Sequence, residues 1–569
     1  MTSPSVSTAG PRRVAAARRS QIIAGLGVCV ALVVAPFVIG PWPLGILTLG
    51  LVYGLFAYGL DLSWGRVGLL SVGQAAFFGI GAYGAALADR LDSPILLSSS
   101  IAVLLAVVVA IVIAMVAFSV PDSLSAPLFI LLTLGVSLLG QRIAASATDV
   151  TGGTNGAFLT PLTLIPGYYT VLGVVLLCLA ITIVFVVNGR RGMLQLAVLS
   201  NPSRAAHLGV NGHRTRLVAF AVSAAVSAIA GVLFATVSGI VTPNSVGLAL
   251  STSVLIWVAI GGRRSIAGPF VGAIAITFGT QMLGSTLQSW WILGMAVVFV
   301  VVVKVAPGGL AAIVRRLAAG SDIPAVPRRV RILESAEPAH STGPLLEVTD
   351  LRVSLGGSPI LNGVDFSVAA GECVCLIGPN GAGKSTLLGA IAGTVPVGTG
   401  RVTIGGHEVT YLPVHTRARR GLGRMFQIPS IFDALTVADN RRIAAVMSGV
   451  RPPAFTAVEE ALPAAALSMA HRRHLELDMV LEGHRSLLLL DEPAAGLSHD
   501  ETVALAARIR SVAAERGCGV VIVEHDMELV RVLADRVVVL AQGRVIAEGS
   551  MDDVVAHEEV RGAYLGGAS

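Results

Sequence analysis

The sequence predicts two unlike folds in series: an all-α membrane domain of about eight to ten transmembrane helices, then a cytoplasmic α/β domain. Three observations carry that prediction. The 569-residue chain is 54% hydrophobic and only 13% charged, with a mean hydropathy of +0.79, which excludes an ordinary soluble enzyme. Its charge is lopsided: no glutamate precedes Glu334, whereas acidic residues are frequent after Glu347. Past that point the long apolar runs give way to short apolar strands alternating with helical patterns.

A bilayer core takes about 20 apolar residues per helix. Runs of suitable character lie near 22–40, 43–62, 67–88, 98–120, 127–147, 167–188, 217–240, 247–262, 267–287 and 290–307, so the membrane domain covers 22–314. Residues 1–21 are rich in Arg, Ser and Ala, and the apolar run after them is too long for a signal peptide; a cytoplasmic tail and a retained first helix are expected. Arg12, Arg13, Arg18, Arg19, Arg190, Arg191, Arg315 and Arg316 flank apolar segments. That placement fits the net charge of +6 to positive-inside anchoring far better than to a nucleic-acid footprint. Glycines crowd 67–84 and 261–272, which predicts close helix packing and interrupted helices. The Arg-rich stretch 189–216 is the longest polar interruption and belongs on the cytoplasmic side. Cys29, Cys178, Cys373, Cys375 and Cys518 show neither disulfide nor zinc spacing and read as small apolar core residues.

Residues 315–344 mix Pro324, Pro327, Pro338 and Pro344 with charges and read as a linker; the α/β domain is 345–569. Its first chemical signal is Gly378-Pro379-Asn380-Gly381-Ala382-Gly383-Lys384-Ser385-Thr386, behind the apolar run Cys373–Ile377 and ahead of a helical pattern opening at Leu387. Glycines let backbone N–H groups close around phosphate oxygens, and a helix N-terminus adds positive potential. Lys384 is placed to reach β- and γ-phosphates and Ser385 to ligate Mg²⁺, so ATP and Mg²⁺ are the expected cofactors. Lys384 stands out further because Lys304 is the only other lysine.

Downstream, Leu487–Leu490 reads as a buried strand ending in Asp491-Glu492, and Val520–Val523 as another ending in Glu524-His525-Asp526. An acid at such a strand end holds Mg²⁺ and the next one polarises the attacking water: Asp491 is the metal-side residue, Glu492 the general base, and His525 belongs near the γ-phosphate. In this order the set resembles the ATP-binding cassette (ABC) ATPases over about 345–569, with Gly378–Thr386 as Walker A and Asp491 and Glu492 as Walker B. The resemblance implies that Gln427 is the Q-loop glutamine, near both metal and reacting water, and that His525 is the switch histidine. It also implies that Ser468 contacts the γ-phosphate of ATP held by an opposing domain. Asp491–Ser498 looks like the D-loop region of the branched-chain amino acid subfamily.

Three features depart from the family pattern. The signature Leu-Ser-Gly-Gly-Gln stands here as Leu467-Ser468-Met469-Ala470-His471, with both glycines lost, although Arg472 and Arg473 follow and keep positive charge nearby. Added Cβ atoms at Met469 and Ala470 restrict close backbone approach to phosphate. The stretch from Gln427 to Leu467 is shorter than usual, and Leu355 stands where an aromatic residue usually stacks on adenine.

The membrane half carries Gly68–Tyr83, Thr151–Gly156, Asn201–Asn211 and Gly261–Ala273, which look like permease subunits of branched-chain amino acid ABC importers, a family that includes urea and amide permeases. That resemblance makes 196–211 the segment that docks on an ATPase domain, with Ser203 and Arg204 near the place of a usual acidic residue; the alternative is an ordinary positive-inside loop. Asp61, Gln74 and Asn155 either tie helices together or line a substrate path. The expectation is a fused permease–ATPase subunit importing branched-chain or related amino acids across the cytoplasmic membrane. It would work with a second copy, or with a related permease and ATPase pair, and with an extracytoplasmic binding protein. A half-size exporter, a urea or amide importer subunit and a weakly hydrolysing ATP-binding partner remain alternatives.

Overall fold

In the computed structural model the described residues are 25, 27–120, 122–287, single positions between 290 and 310, 343–482 and 485–565. The expected tail 1–21, all but the last two residues of the linker 315–344, and most of the span 290–307 lie outside them. The described residues form two compact units: one of those up to 199 together with those from 213 to 310, the other of 200–212 together with those from 343 onward.

The first unit is helical: Pro41–Val67, Gln74–Arg90, Ile95–Ala117, Asp122–Ser146, Leu164–Thr182, Gly212–Ser238, Leu248–Gly261 and Gly268–Leu287. Among the described residues, five helices are long and apolar enough to cross a membrane: Pro41–Val67, Ile95–Ala117, Leu124–Ser146, Leu164–Val187 and Gly212–Ser238. Gly27–Val38, Leu248–Gly261 and Gly268–Leu283 are shorter apolar helices. The apolar run 67–88 is not one helix. Pro41–Val67 ends at Gly68, whose φ of 76° is left-handed, and Gly68 and Leu69 donate back to Trp64 and Ser63. The next helix starts only at Gln74. Apolarity reports solvent preference, not this backbone turn.

The dense glycines do what their composition predicted. A Cβ at Gly81 would overlap the Ala228 carbonyl, and one at Gly231 would overlap the Phe78 carbonyl, so helices Gln74–Arg90 and Gly212–Ser238 run backbone to backbone. Polar side chains tie the bundle. Gln74 Nε2 donates to Ser223 Oγ and Ser227 Oγ at 3.0 and 2.6 Å, and Asp61 Oδ1 accepts from the Arg264 amide at 3.0 Å. Asn155 lies instead in an exposed turn, Gly153–Asn155. Beside it strand β1 (Ala157–Phe158) pairs antiparallel with β2 (Ile240–Val241).

The second unit holds β3 (Leu346–Leu355), β4 (Ser358–Val368), β5 (Cys373–Ile377), β6 (Thr399–Ile404), β7 (His407–Glu408), β8 (Leu422–Met425), β9 (Leu487–Asp491), β10 (Gly519–Val523), β11 (Arg536–Ala541) and β12 (Arg544–Gly549). One sheet has the order β12-β11-β5-β10-β9-β8, and an antiparallel sheet has the order β4-β3-β6-β7. β5, β9 and β10 are buried at every residue, as parallel strands covered on both faces must be. Cys373 and Cys375 fill that core, and all five cysteines are free thiols.

Candidate functional site

Parallel pairing decides which residues meet. β8, β9, β10 and β5 are consecutive neighbours, with Met425 opposite Leu490, Asp491 opposite Val523, and Val523 opposite Leu376. The loops leaving their C-terminal ends therefore emerge along one edge, where open α/β sheets bind ligands. Those loops begin with Phe426-Gln427, Glu492, Glu524-His525 and Gly378.

Behind β5 the glycine loop turns into helix Lys384–Ala392, capped by Gly383 with a φ of 103°. A Cβ on Gly378 would overlap the Leu540 carbonyl, so this position is closed to any larger residue. Lys384 Nζ donates to the Gly378 and Pro379 carbonyls at 2.6 and 3.0 Å, which draws the ammonium over the loop. Burial pushes its pKa down, while Glu492 and Asp491 pull it back up. Asn380, Gly381 and Ser385 are exposed, Pro379 and Thr386 half-buried, and Ala382 is buried with its carbonyl accepting from the Gly543 amide. The loop thus offers amides, one ammonium and one free-facing hydroxyl to an anion.

Asp491 closes β9 and is buried; burial pushes its carboxyl up, opposed by Arg424 and Lys384. Glu492 follows with a φ of 46°, an uncommon left-handed conformation for a non-glycine residue. Two contacts hold it there: its amide donates to Val523 O at 2.9 Å, and Arg473 Nη1 donates to its carbonyl at 2.5 Å. Glu492 Oε1 receives Gln427 Nε2 at 3.1 Å and lies 3.4 Å from His525 Nε2. Three residues expected to share the hydrolytic step are therefore brought together. A cleft of about 260 Å³ opens beside them, lined by Glu492, Ala494, Leu497, Glu524, His525 and Asp526.

Ser468 lies elsewhere in the local framework. It caps helix Met469–Leu481, accepting from the His471 amide, and its Oγ is 2.6 Å from His471 Nδ1. Met469 beside it is 61% exposed. Among the described residues its hydrogen bonds stay within this one turn. Arg472 pairs with Asp433 at 3.2 Å and donates to the Leu467 and Ala465 carbonyls, whereas Arg473 is buried between the carbonyls of Glu492 and Gln427. Leu355 is half-exposed at the β3–β4 hairpin, opposite Ser358.

Residues 200–212 pack within this second unit. Asn201 caps the short helix Pro202–His207 and donates to Ser430 Oγ and the Ile431 carbonyl. Arg204 is fully buried. Its Nη1 reaches the Arg424 carbonyl at 2.9 Å and Glu476 Oε1 at 3.3 Å, and its Nη2 reaches the Glu476 carbonyl at 3.3 Å. Burial pushes Glu476 up to about 7, with Arg204 and the Phe426 amide pulling the other way. The His207 ring meets Phe426 edge-on at 4.8 Å, and burial holds its pKa down at about 3. Arg419 donates to the Gly209 carbonyl at 2.7 Å.

Sequence reading passed over Glu476, Glu524 and the inward role of Arg473. Glu476 carried a signal: an acid between Leu475 and Leu477 on a helix whose other inward residues include Leu481 and Val480. Glu524 accepts from the Ala494 and His525 amides at 3.1 and 3.2 Å, tying the loop after β9 to the one after β10.

Comparison with known proteins agrees with both halves. The family of branched-chain amino acid transport system permease components matches residues 42–306. The ABC transporter family matches 361–495, and the branched-chain amino acid ATP-binding cassette transporter family matches 544–569. A probable ABC transporter ATP-binding protein of Azorhizobium caulinodans is 37% identical over 244 residues, covering 40% of this chain and 85% of that protein. The high-affinity branched-chain amino acid transport ATP-binding protein BraF of Pseudomonas aeruginosa is 34% identical over 252 residues, covering 40% of this chain and 99% of that one. LivG of Salmonella typhimurium, of the same description, is 33% identical over 252 residues with the same coverages. The chain belongs to the branched-chain amino acid ABC transporter family, with a membrane permease and a cytoplasmic, ATP-binding domain that couples ATP hydrolysis to transport in one polypeptide.

Proposed function

We propose that this chain imports branched-chain or related amino acids, two of its ATP-binding domains closing head to tail on two ATPs. The observation that carries the reading is the meeting of Gln427, His525 and Glu492 beside the phosphate loop, in a chain whose membrane half matches a branched-chain amino acid permease. Backbone N–H groups between Asn380 and Thr386 and the Lys384 ammonium hold the phosphates, in a loop that the restricted backbone at Gly378 keeps in one shape. Ser385, Gln427 and Asp491 are the residues to hold Mg²⁺, which would neutralise charge developing on the transferred phosphoryl group. The donor set fits that ion: one hydroxyl, one amide and one buried carboxylate leave most coordination to phosphates and water. Among the described residues no three His, Cys, Asp or Glu side chains form a metal cage, which this mode does not need.

Glu492 acts as general base toward the attacking water. Gln427 and His525, both at its Oε1, hold that carboxylate and sense whether the γ-phosphate is present. Ser468, exposed at its helix N-terminus, serves the opposing domain's nucleotide. ATP closure switches the permease between inward and outward access, and hydrolysis resets it. The partner is a second copy or a related permease and ATPase pair, and an extracytoplasmic binding protein delivers substrate. Uptake of radiolabelled leucine by cells carrying the chain and that binding protein tests this reading. ATP-dependent accumulation that disappears in Glu492→Gln is expected. Outward pumping would point to an exporter, and accumulation of urea or a short amide in place of leucine would reassign the substrate. The loss of both signature glycines at Met469 and Ala470 favours a second reading, a weakly hydrolysing subunit that binds ATP beside a more active partner.

A further inference from the structure

We infer that Arg204 is a positioning residue for ATP hydrolysis: through Glu476 and the Phe426 amide it sets Gln427 against the Glu492 carboxylate. The inference rests on the proposed roles of Gln427 and Glu492. Its starting point is an ion pair in which both side chains are fully buried, Arg204 Nη1 to Glu476 Oε1 at 3.3 Å. Removing two charges from water is costly, and such a pair persists where its geometry is over-determined by further hydrogen bonds. Two of those bonds address one stretch of backbone. Arg204 Nη1 also donates to the Arg424 carbonyl at 2.9 Å, and Glu476 Oε1 also accepts from the Phe426 amide at 3.2 Å. One guanidinium–carboxylate pair thus grips the end of β8 on both sides of Met425. The next residue is Gln427.

A second grip comes from the same helix as Glu476. Arg473 stands three residues earlier in Met469–Leu481, so the two share a face. It donates to the Gln427 carbonyl at 2.8 Å and to the Glu492 carbonyl. The helix that opens at Ser468 therefore fixes both the Phe426 amide and the Gln427 carbonyl, and Arg204 is the group inserted from residues 200–212 that locks it. The His207 ring against Phe426 seals the contact. Residues 200–212 join Gly189–Ser200 to Gly212–Ser238 in the chain.

The full chain in lipid nanodiscs tests this, with ATP turnover that dies in Glu492→Gln as the control for the underlying reading. In Arg204→Met, kcat should fall at least about tenfold while ATP affinity changes by less than about twofold, because the phosphate loop is untouched. Turnover within about twofold of the unmodified chain would overturn the inference. Arg204→Met leaves Glu476 buried without its partner, so Arg204→Met with Glu476→Gln separates positioning from charge balance. This pair should recover thermal stability yet keep the low kcat; full recovery of kcat would reduce Arg204 to a neutralising charge and sink the idea. Hydrogen exchange of the amides 424–428 reads the same link without turnover. Exchange at least about tenfold faster in the double variant supports the link, and unchanged exchange refutes it even if the unmodified chain proves not to hydrolyse ATP.

Discussion

At the phosphate-loop face, four adjacent strand ends deliver Lys384, Gln427, Glu492 and His525 to one edge, and Arg473 and Glu524 tie the loops between them. At the signature face, Ser468 is held by a single helix turn with His471 as its partner, beside an exposed Met469. One face is over-determined by the fold of its own chain. The other is a local feature of one helix turn. The contrast teaches where sequence change is tolerated: glycine is sterically enforced at 378, whereas the two signature glycines have already been replaced.

The comparison can be broken most severely at the lysine. Lys384→Ala should remove nucleotide binding and lower hydrolysis by about a thousandfold or more, since no second ammonium lies on the loop; retained binding in a fluorescent-nucleotide titration would refute the assignment. Next in size is Glu492→Gln, expected to cost about 10²–10⁴ in turnover while ATP still binds and holds the domains closed, seen as a stable nucleotide-dependent dimer. The signature face should respond more mildly. Glycine at both Met469 and Ala470 should raise turnover a few-fold if backbone approach limits the composite site, and no gain in steady-state rate would show that His471 or another group compensates.

The smallest effect concerns Glu476, which links the two faces. Burial raises its pKa to about 7, so the folded state holds the proton more tightly than the unfolded chain. That stabilisation is complete below the ordinary value near 4.5 and is lost as pH rises through about 7. The stability of the unmodified chain relative to Glu476→Gln should therefore fall as pH rises from about 4.5 to about 8, by an amount on the order of 1–3 kcal/mol, measured by denaturant unfolding of the two proteins side by side.

How legible each face was follows from what makes it. Three of the four strands behind the phosphate-loop face announced themselves as short apolar runs with a functional residue after them: Cys373–Ile377 before Gly378, Leu487–Leu490 before Asp491, Val520–Val523 before His525; β8, which carries Gly423 and Arg424, did not, and Gln427 was placed by family resemblance. Local sequence suffices there because strand order, not side-chain detail, gathers the residues. The pairings of Arg204 with Glu476 and of Arg473 with two carbonyls were not legible, since they join residues 272 and 46 positions apart in the chain or address backbone atoms that every residue carries. In the membrane unit the glycines crowded in 67–84 and 261–272 predicted close packing, which Gly81 and Gly261 realise. The break at Gly68 escaped hydropathy because the run stays apolar across it. Gln74 and Asp61 turned out to tie elements together, a role that only the facing Ser223, Ser227 and Arg264 amide define.

The most direct measurement is steady-state ATP hydrolysis by the purified full chain in lipid nanodiscs, beside Glu492→Gln. Turnover that depends on Glu492 is the predicted result, and it would mean that two copies close a working pair of sites through Ser468. Nucleotide binding without Glu492-dependent turnover would contradict a self-sufficient ATPase and move the catalytic site to a different partner.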